Sequence, residues 1–231
     1  MLIFQNAAAI IRNLNALAGA FFIITALGIA AERQIQACLR FFIFQSIFLA
    51  ASAFLLGASP FSKHLMTVGI INLVTKVWLL PWILRRLVSE EVYMRREITQ
   101  VVSIPVSLLF SMALTIGAYF FSLPWLRPAT ALDASSINVP IGLAGLLIGA
   151  YTLTTRREAI PQILGLLAME NGAFFAGIAI APDLPLITEL ALAFDVLIFI
   201  FVSGVLTGVI HEQVGTTAVG KFTKLREERS K

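Results

Sequence analysis

Seven stretches of this chain are long and apolar enough to cross a bilayer, near 10–30, 39–57, 65–84, 100–121, 138–155, 161–181 and 186–210. A helix rising about 1.5 Å per residue spans about 30 Å of hydrocarbon in roughly 20 residues. No water reaches the backbone there, so such runs satisfy their N–H and C=O groups as α-helices. Hydrophobic residues make up 58% of the chain and charged residues 13%, about half the charge of a soluble domain. The expected fold is an all-α, polytopic membrane protein of about seven transmembrane helices. Ala58-Ser-Pro-Phe-Ser-Lys-His64, an Arg/Glu-rich loop at 85–97, Leu123-Pro-Trp-Leu-Arg-Pro128 and Pro182-Asp-Leu-Pro185 separate the spans. Pro161 is expected to open the sixth helix, where its missing N–H is harmless.

Charge gives an orientation. One side holds Arg33, Arg40, Arg85, Arg86, Arg95, Arg96, Arg156, Arg157, Lys221, Lys224, Arg226, Arg229 and Lys231; the other holds Arg12, Lys63 and Arg127. Thirteen against three places the N-terminus outside and the C-terminus in the cytoplasm of an inner-membrane protein. That orientation argues against signal-peptide cleavage after Gly28-Ile29-Ala30. Arg156-Arg157 reads as a topology signal. The net charge of +4 sits in short loops and a tail rather than on one stripe, so nucleic acid is not an expected partner. Trp78, Trp82 and Trp125 suit interfacial anchors or packing. One cysteine, Cys38, excludes an intrachain disulfide and a cysteine-held iron–sulfur centre. His64 and His211 lack ligand-like partners at short spacing. Neither a phosphate-cradling glycine motif nor a catalytic constellation is present. No metal, cofactor or catalytic residue is expected in this chain.

A weak repeat recurs at an offset of 125. ERQIQACLRFFIFQS (32–46) and REAIPQILGLLAMEN (157–171) are both a charged loop feeding an apolar helix, with Gln45-Ser46 falling on Glu170-Asn171. This suggests a three-helix unit over 1–97, a connecting fourth helix over 98–136, a second three-helix unit over 137–213 and a cytoplasmic tail over 214–231.

Three ionisable residues stand inside spans, where each costs about 2.5–3.5 kcal/mol on insertion scales: Lys76, Glu170 and Asp195. Counted from the nearest turns at about 1.5 Å per residue, Glu170 lies roughly 18 Å deep, Asp195 roughly 15 Å, Lys76 roughly 16 Å and Gln45 roughly 18 Å. They share one layer near the midplane. Asn72 lies four residues before Lys76, on the same helix face. One reading is a lateral proton relay in which Glu170 and Asp195 exchange protons with Lys76 through Gln45, Asn72, Asn171 and bound water. The other is a static ion pair with polar groups gluing helices. Gly145-xxx-Gly149 and Gly204-xxx-Gly208 permit close helix approach, and Arg12, Asn13 and Asn15 read as ordinary interfacial residues in preference to a partner contact.

The stretch RREAIPQILGLLAMENGAFFAGIAIAPDLPLITELALAFDVLIFIFVSGVLTGVIHEQ (156–213) and the motif LVTKVWLLPWIL (73–84) resemble hydrogenase-4 component E. That family is similar in turn to subunit K of respiratory complex I and to the C-type subunit of Mrp cation/proton antiporters, three-helix proteins with an outside N-terminus. Glu170 matches the buried glutamate in the second helix of subunit K; Asp195 lies about one turn from a strict match to the next one. The resemblance implies a non-redox membrane subunit of a hydrogenase-4-like, complex I-like assembly. Iron–sulfur and nickel–iron centres would then lie in partner subunits, and antiporter-like membrane subunits would be neighbours. An autonomous transporter built on the two repeats, or a scaffold joining other subunits, would use the same helices differently.

Overall fold

The computed structural model describes residues 2–58, 62–87, 102–126 and 136–180. They form six helices: α1 (Leu2–Ala31), α2 (Ile35–Ala58), α3, α4 (Ile104–Leu126), α5 (Asn138–Thr155) and α6 (Ala159–Ile180). Helix α3 is continuous but not uniform. It is α-helical over Lys63–Asn72, a π-helix over Leu73–Leu79 and α-helical again over Leu80–Leu87. Each of the six contains an apolar stretch long enough to cross a membrane. The protein is an all-α, multi-pass membrane protein; the expected seventh span, 186–210, and Gly204 and Gly208 within it, lie outside the described residues.

Local sequence explains the helix limits. Ser62 caps α3, its hydroxyl accepting from the Leu65 N–H. Helix α6 starts two residues before Pro161, which still falls in the first turn, where the backbone N–H has no intrahelical acceptor. Residues 32–34 and 156–158 make tight connections, so α1–α2 and α5–α6 are antiparallel pairs.

The sidedness is that of a protein in lipid. Helix α4 turns Val106, Leu109, Phe110, Met112, Ile116, Tyr119, Phe120 and Phe121 outward, while Ser107, Ser111 and Ser122 are buried. Apolar outside and small polar inside inverts the pattern of a soluble helix. Trp78 and Trp82 also face outward, which fits anchoring better than packing; the side chain of Trp125 lies outside what is described.

Small residues set the tightest contact. A Cβ on Gly149 would strike the Met169 backbone of α6, and one on Gly172 would strike the Leu146 backbone of α5. Gly145 of the same motif lies at this contact too, against Gly172, but an added Cβ there would meet the Phe22 ring of α1 first. Removing lipid from between two backbones needs this absence of side chains.

Two apolar clusters fill the bundle. One joins Ile29, Cys38, Leu39, Phe42, Leu80, Leu84, Leu164 and Leu167 among its members. The other joins Phe22, Leu49, Ala53, Leu56, Leu65, Phe175 and Ile178. Along α2, Gln45 and Ser46 fall between Phe42 and Leu49; along α6, Glu170 and Asn171 fall between Leu167 and Phe175; along α3, Asn72 and Lys76 fall between Leu65 and Leu80. A polar layer is thus enclosed between two dry ones. The positions matched by the 125-residue offset share a burial register, since Cys38 and Ile163, Leu39 and Leu164, Phe42 and Leu167, Gln45 and Glu170, and Ser46 and Asn171 are all buried.

Overpacking at the α5–α6 contact should show directly. Gly172→Val is expected to lower the thermal midpoint of the purified protein, by the equivalent of about 1–3 kcal/mol. Gly177→Ala, where an added Cβ meets nothing within 4 Å, should leave it unchanged.

Candidate functional site: a buried ion pair in a polar layer

The polar layer is assembled by α2, α3 and α6. Lys76 projects from the π segment, and its Nζ lies 3.1 Å from Glu170 Oε2 on α6. Both side chains are almost fully withdrawn from the surface, at 3% and 5% exposure. The same ammonium donates to Asn171 Oδ1 at 3.0 Å and stands 5.1 Å from the centroid of the Phe174 ring. The π segment widens the helix locally: the N–H of Leu80 reaches back to the Thr75 carbonyl, five residues earlier. Such segments are frequent at functional sites, and here one carries the only lysine among the six described membrane helices that is buried.

Amides extend the pair toward α2. Asn171 Nδ2 donates to Ser46 Oγ at 2.9 Å and to Gln45 Oε1 at 3.3 Å. Asn72 Nδ2 donates to the Ser46 carbonyl at 2.6 Å. Of the six residues assigned to this layer from sequence, five meet: Lys76, Glu170, Asn171, Gln45 and Asn72. Asp195 lies outside the described residues. That Asn171–Ser46 bond joins two positions that the 125-residue offset pairs. Chemically, the layer offers an acid and a base in contact, surrounded by amides that both donate and accept, in a medium where ionisation is costly.

Two other polar features lie apart from it. Asn15, Ser52 and Asn138 are fully buried and close a ring. Asn15 Nδ2 donates to Asn138 Oδ1 at 2.8 Å, Asn138 Nδ2 to Ser52 Oγ at 2.8 Å, and Ser52 Oγ to Asn15 Oδ1 at 2.6 Å. The ring joins α1, α2 and α5. Arg156, after α5, is buried, and its Nη2 donates to the carbonyls of Ile29 at 2.9 Å and Ala30 at 3.1 Å. Ser107 of α4 donates to the same Ala30 carbonyl at 3.2 Å. These are terminal carbonyls of α1, which have no intrahelical donor. Burial lowers the Arg156 pKa from its ordinary value, opposed by Cys38, Tyr151 and Glu32.

Comparison with known proteins places the chain. It is 34% identical over 198 residues to the uncharacterized protein Rv0085 of Mycobacterium tuberculosis, a match covering 85% of this chain and 88% of that one. The chain belongs to the family of Rv0085. It is also 25% identical over 221 residues to hydrogenase-4 component E of Escherichia coli K12, covering 92% of this chain and 96% of the other, with the same figures for the Shigella flexneri protein. No family model matches, and no solved structure matches. The family match and the hydrogenase-4 likeness both span most of the chain, so they take in the polar layer on α2, α3 and α6.

The structure corrects two sequence readings. Asn15 is not an interfacial residue like the exposed Arg12 and Asn13; it is buried in the three-residue ring. Arg156 is not merely a topology signal: it caps α1, while Arg157 beside it is exposed. Ser46 was visible only through the repeat. An asparagine well inside an apolar run was the available signal for Asn15. Nothing in a two-arginine loop distinguishes the buried member from the exposed one.

The ion pair and the cap make separable predictions. Lys76→Met or Glu170→Met alone leaves one buried charge without its partner and should destabilise by about 3–5 kcal/mol, whereas Lys76→Met with Glu170→Met should cost much less. Thermal melts of the four proteins measure this coupling. Arg156→Leu removes the charged donor shared by the Ile29 and Ala30 carbonyls, leaving them only Cys38 Sγ and Ser107 Oγ, and should cost about 1.5–3 kcal/mol by the same melt.

Proposed function

We propose that this chain is a non-redox, inner-membrane subunit of a hydrogenase-4-like, complex I-like assembly. In this reading it contributes part of a proton or sodium path through its midplane charges. The observation that carries the reading is the Lys76–Glu170 pair at 3.1 Å, enclosed between two apolar clusters. A buried ion pair seldom stabilises a fold better than well-packed apolar residues of similar volume would. Ionisable groups retained at such depth are typical of ion and proton pathways. The full-length likeness to hydrogenase-4 component E supplies the setting.

Glu170 is the relay acid and Lys76 the coupled base; Asp195 is assigned the second acid. Gln45, Asn72 and Asn171 carry hydrogen bonds away from the pair. The apolar layers on either side favour lateral passage over a straight route along the bundle axis. Such a subunit hands ions to membrane neighbours of antiporter-like kind, and any metal centres would belong to partner subunits. The basic loops and tail orient it with the N-terminus outside.

The test is ion translocation by the purified, assembled complex. Blue-native electrophoresis with identification of co-migrating subunits establishes the assembly. Glu170→Gln should assemble yet lose coupled translocation. Lys76→Met with Glu170→Gln removes both charges, so no orphan charge confounds folding, and should be equally uncoupled. Unchanged translocation by the assembled double variant would show a scaffold and overturn the proposal.

A further inference from the structure

Among the described residues, the amides of the layer leave two buried atoms without a hydrogen-bond partner: Gln45 Nε2, a donor, and Asn72 Oδ1, an acceptor. Their residues are 0% and 5% exposed. Leaving such groups unmade in an apolar interior costs free energy comparable to a lost hydrogen bond, and re-orienting the amides does not cure it. The Lys76 ammonium can only donate, so Asn171 must turn Oδ1 toward it and Nδ2 toward α2. Gln45 must then present Oε1 to Asn171, which turns Nε2 away. Exchanging its O and N would set two donors face to face. Asn72 donates Nδ2 to the Ser46 carbonyl; exchanging its atoms would set two acceptors face to face. The charge on Lys76 and the carbonyl of Ser46 therefore turn both atoms away from every partner among the described residues.

We propose that Gln45 Nε2 and Asn72 Oδ1 bound a site for ordered internal water beside the Lys76–Glu170 pair. One atom donates and the other accepts, the complement of a water molecule. Both flank Ser46, whose hydroxyl and carbonyl serve Asn171 and Asn72. Buried waters satisfy protein groups of this kind. Gln45 and Asn72 are positioning residues here. Their role in ion movement rests on the proton-path reading, with the water as the mobile carrier next to the pair; the existence of the water does not.

Two measurements test this. In a cryo-electron-microscopy structure of the full chain with its co-purifying subunits, at a resolution that shows waters, density is expected within about 3 Å of one or both atoms. A dry gap, or a side chain in contact with both atoms, overturns the site. In the assembled complex, Gln45→Met keeps the side-chain volume and removes the donor. Coupled translocation should fall about tenfold, the rate equivalent of one lost hydrogen bond. Gln45→Glu, whose neutral carboxyl keeps one donor and one acceptor, should restore it. Unchanged translocation in Gln45→Met overturns the carrier role. Density is read independently of the Glu170 variants, so failure of the path and failure of the water site give different results.

Discussion

Taking charge into hydrocarbon is the most expensive thing this chain does, and the arrangement of its helices answers that cost. Lys76 reaches Glu170 and Asn171 from a helix that, among the described helices, otherwise packs mainly on α2, so the pair fastens α3 to α6 across α2. Neither charge is tolerable without the other, and neither reaches the other unless α2 lets its small hydroxyl and amide residues, Ser46 and Gln45, lie beside them. The apolar residues above and below then keep solvent from relieving the pair from either end.

Elsewhere the bundle follows the rule that a bilayer leaves no polar group to water. Threonines return their hydroxyls to carbonyls in their own helices, as Thr25 does to Phe21 and Phe22 and Thr152 to Ile148. The ring of Asn15, Ser52 and Asn138 satisfies its members among themselves. The end of α1 borrows donors from Arg156 and Ser107. With these polar groups satisfied internally, lipid-facing surfaces are free to be apolar, and close helix contact falls to glycine rather than to large side chains. The α5–α6 pair carries that furthest.

Much of this was legible in the sequence, for physical reasons. Length and apolarity fix membrane helices because the bilayer leaves the backbone no alternative, and six spans appear where the pattern puts them. Depth counting worked for Lys76, Glu170 and Gln45 because helical rise is nearly constant, so residues at equal depth on neighbouring helices meet when their faces turn inward. Rotation about each axis was the missing quantity. It decides that Asn15 enters a ring while Asn13 faces outward, and that Arg156 is buried while Arg157 is not. The π segment was not read either: LVTKVWL has no composition that separates it from an ordinary apolar helix.

That segment has a consequence for comparing relatives. A π turn holds one more residue than an α turn between the same two neighbours, so it can absorb a single-residue insertion without displacing the helix on either side. A relative that lacks the extra residue could keep α3 packed on α2 at both ends yet present a different side chain at the position of Lys76. Matching third helices residue by residue without a gap would then misassign the lysine while leaving one flank, Leu65 or Leu84, in correct correspondence. The frame should be checked on both flanks of 73–79 before the presence or absence of this charge in a homologue is given meaning.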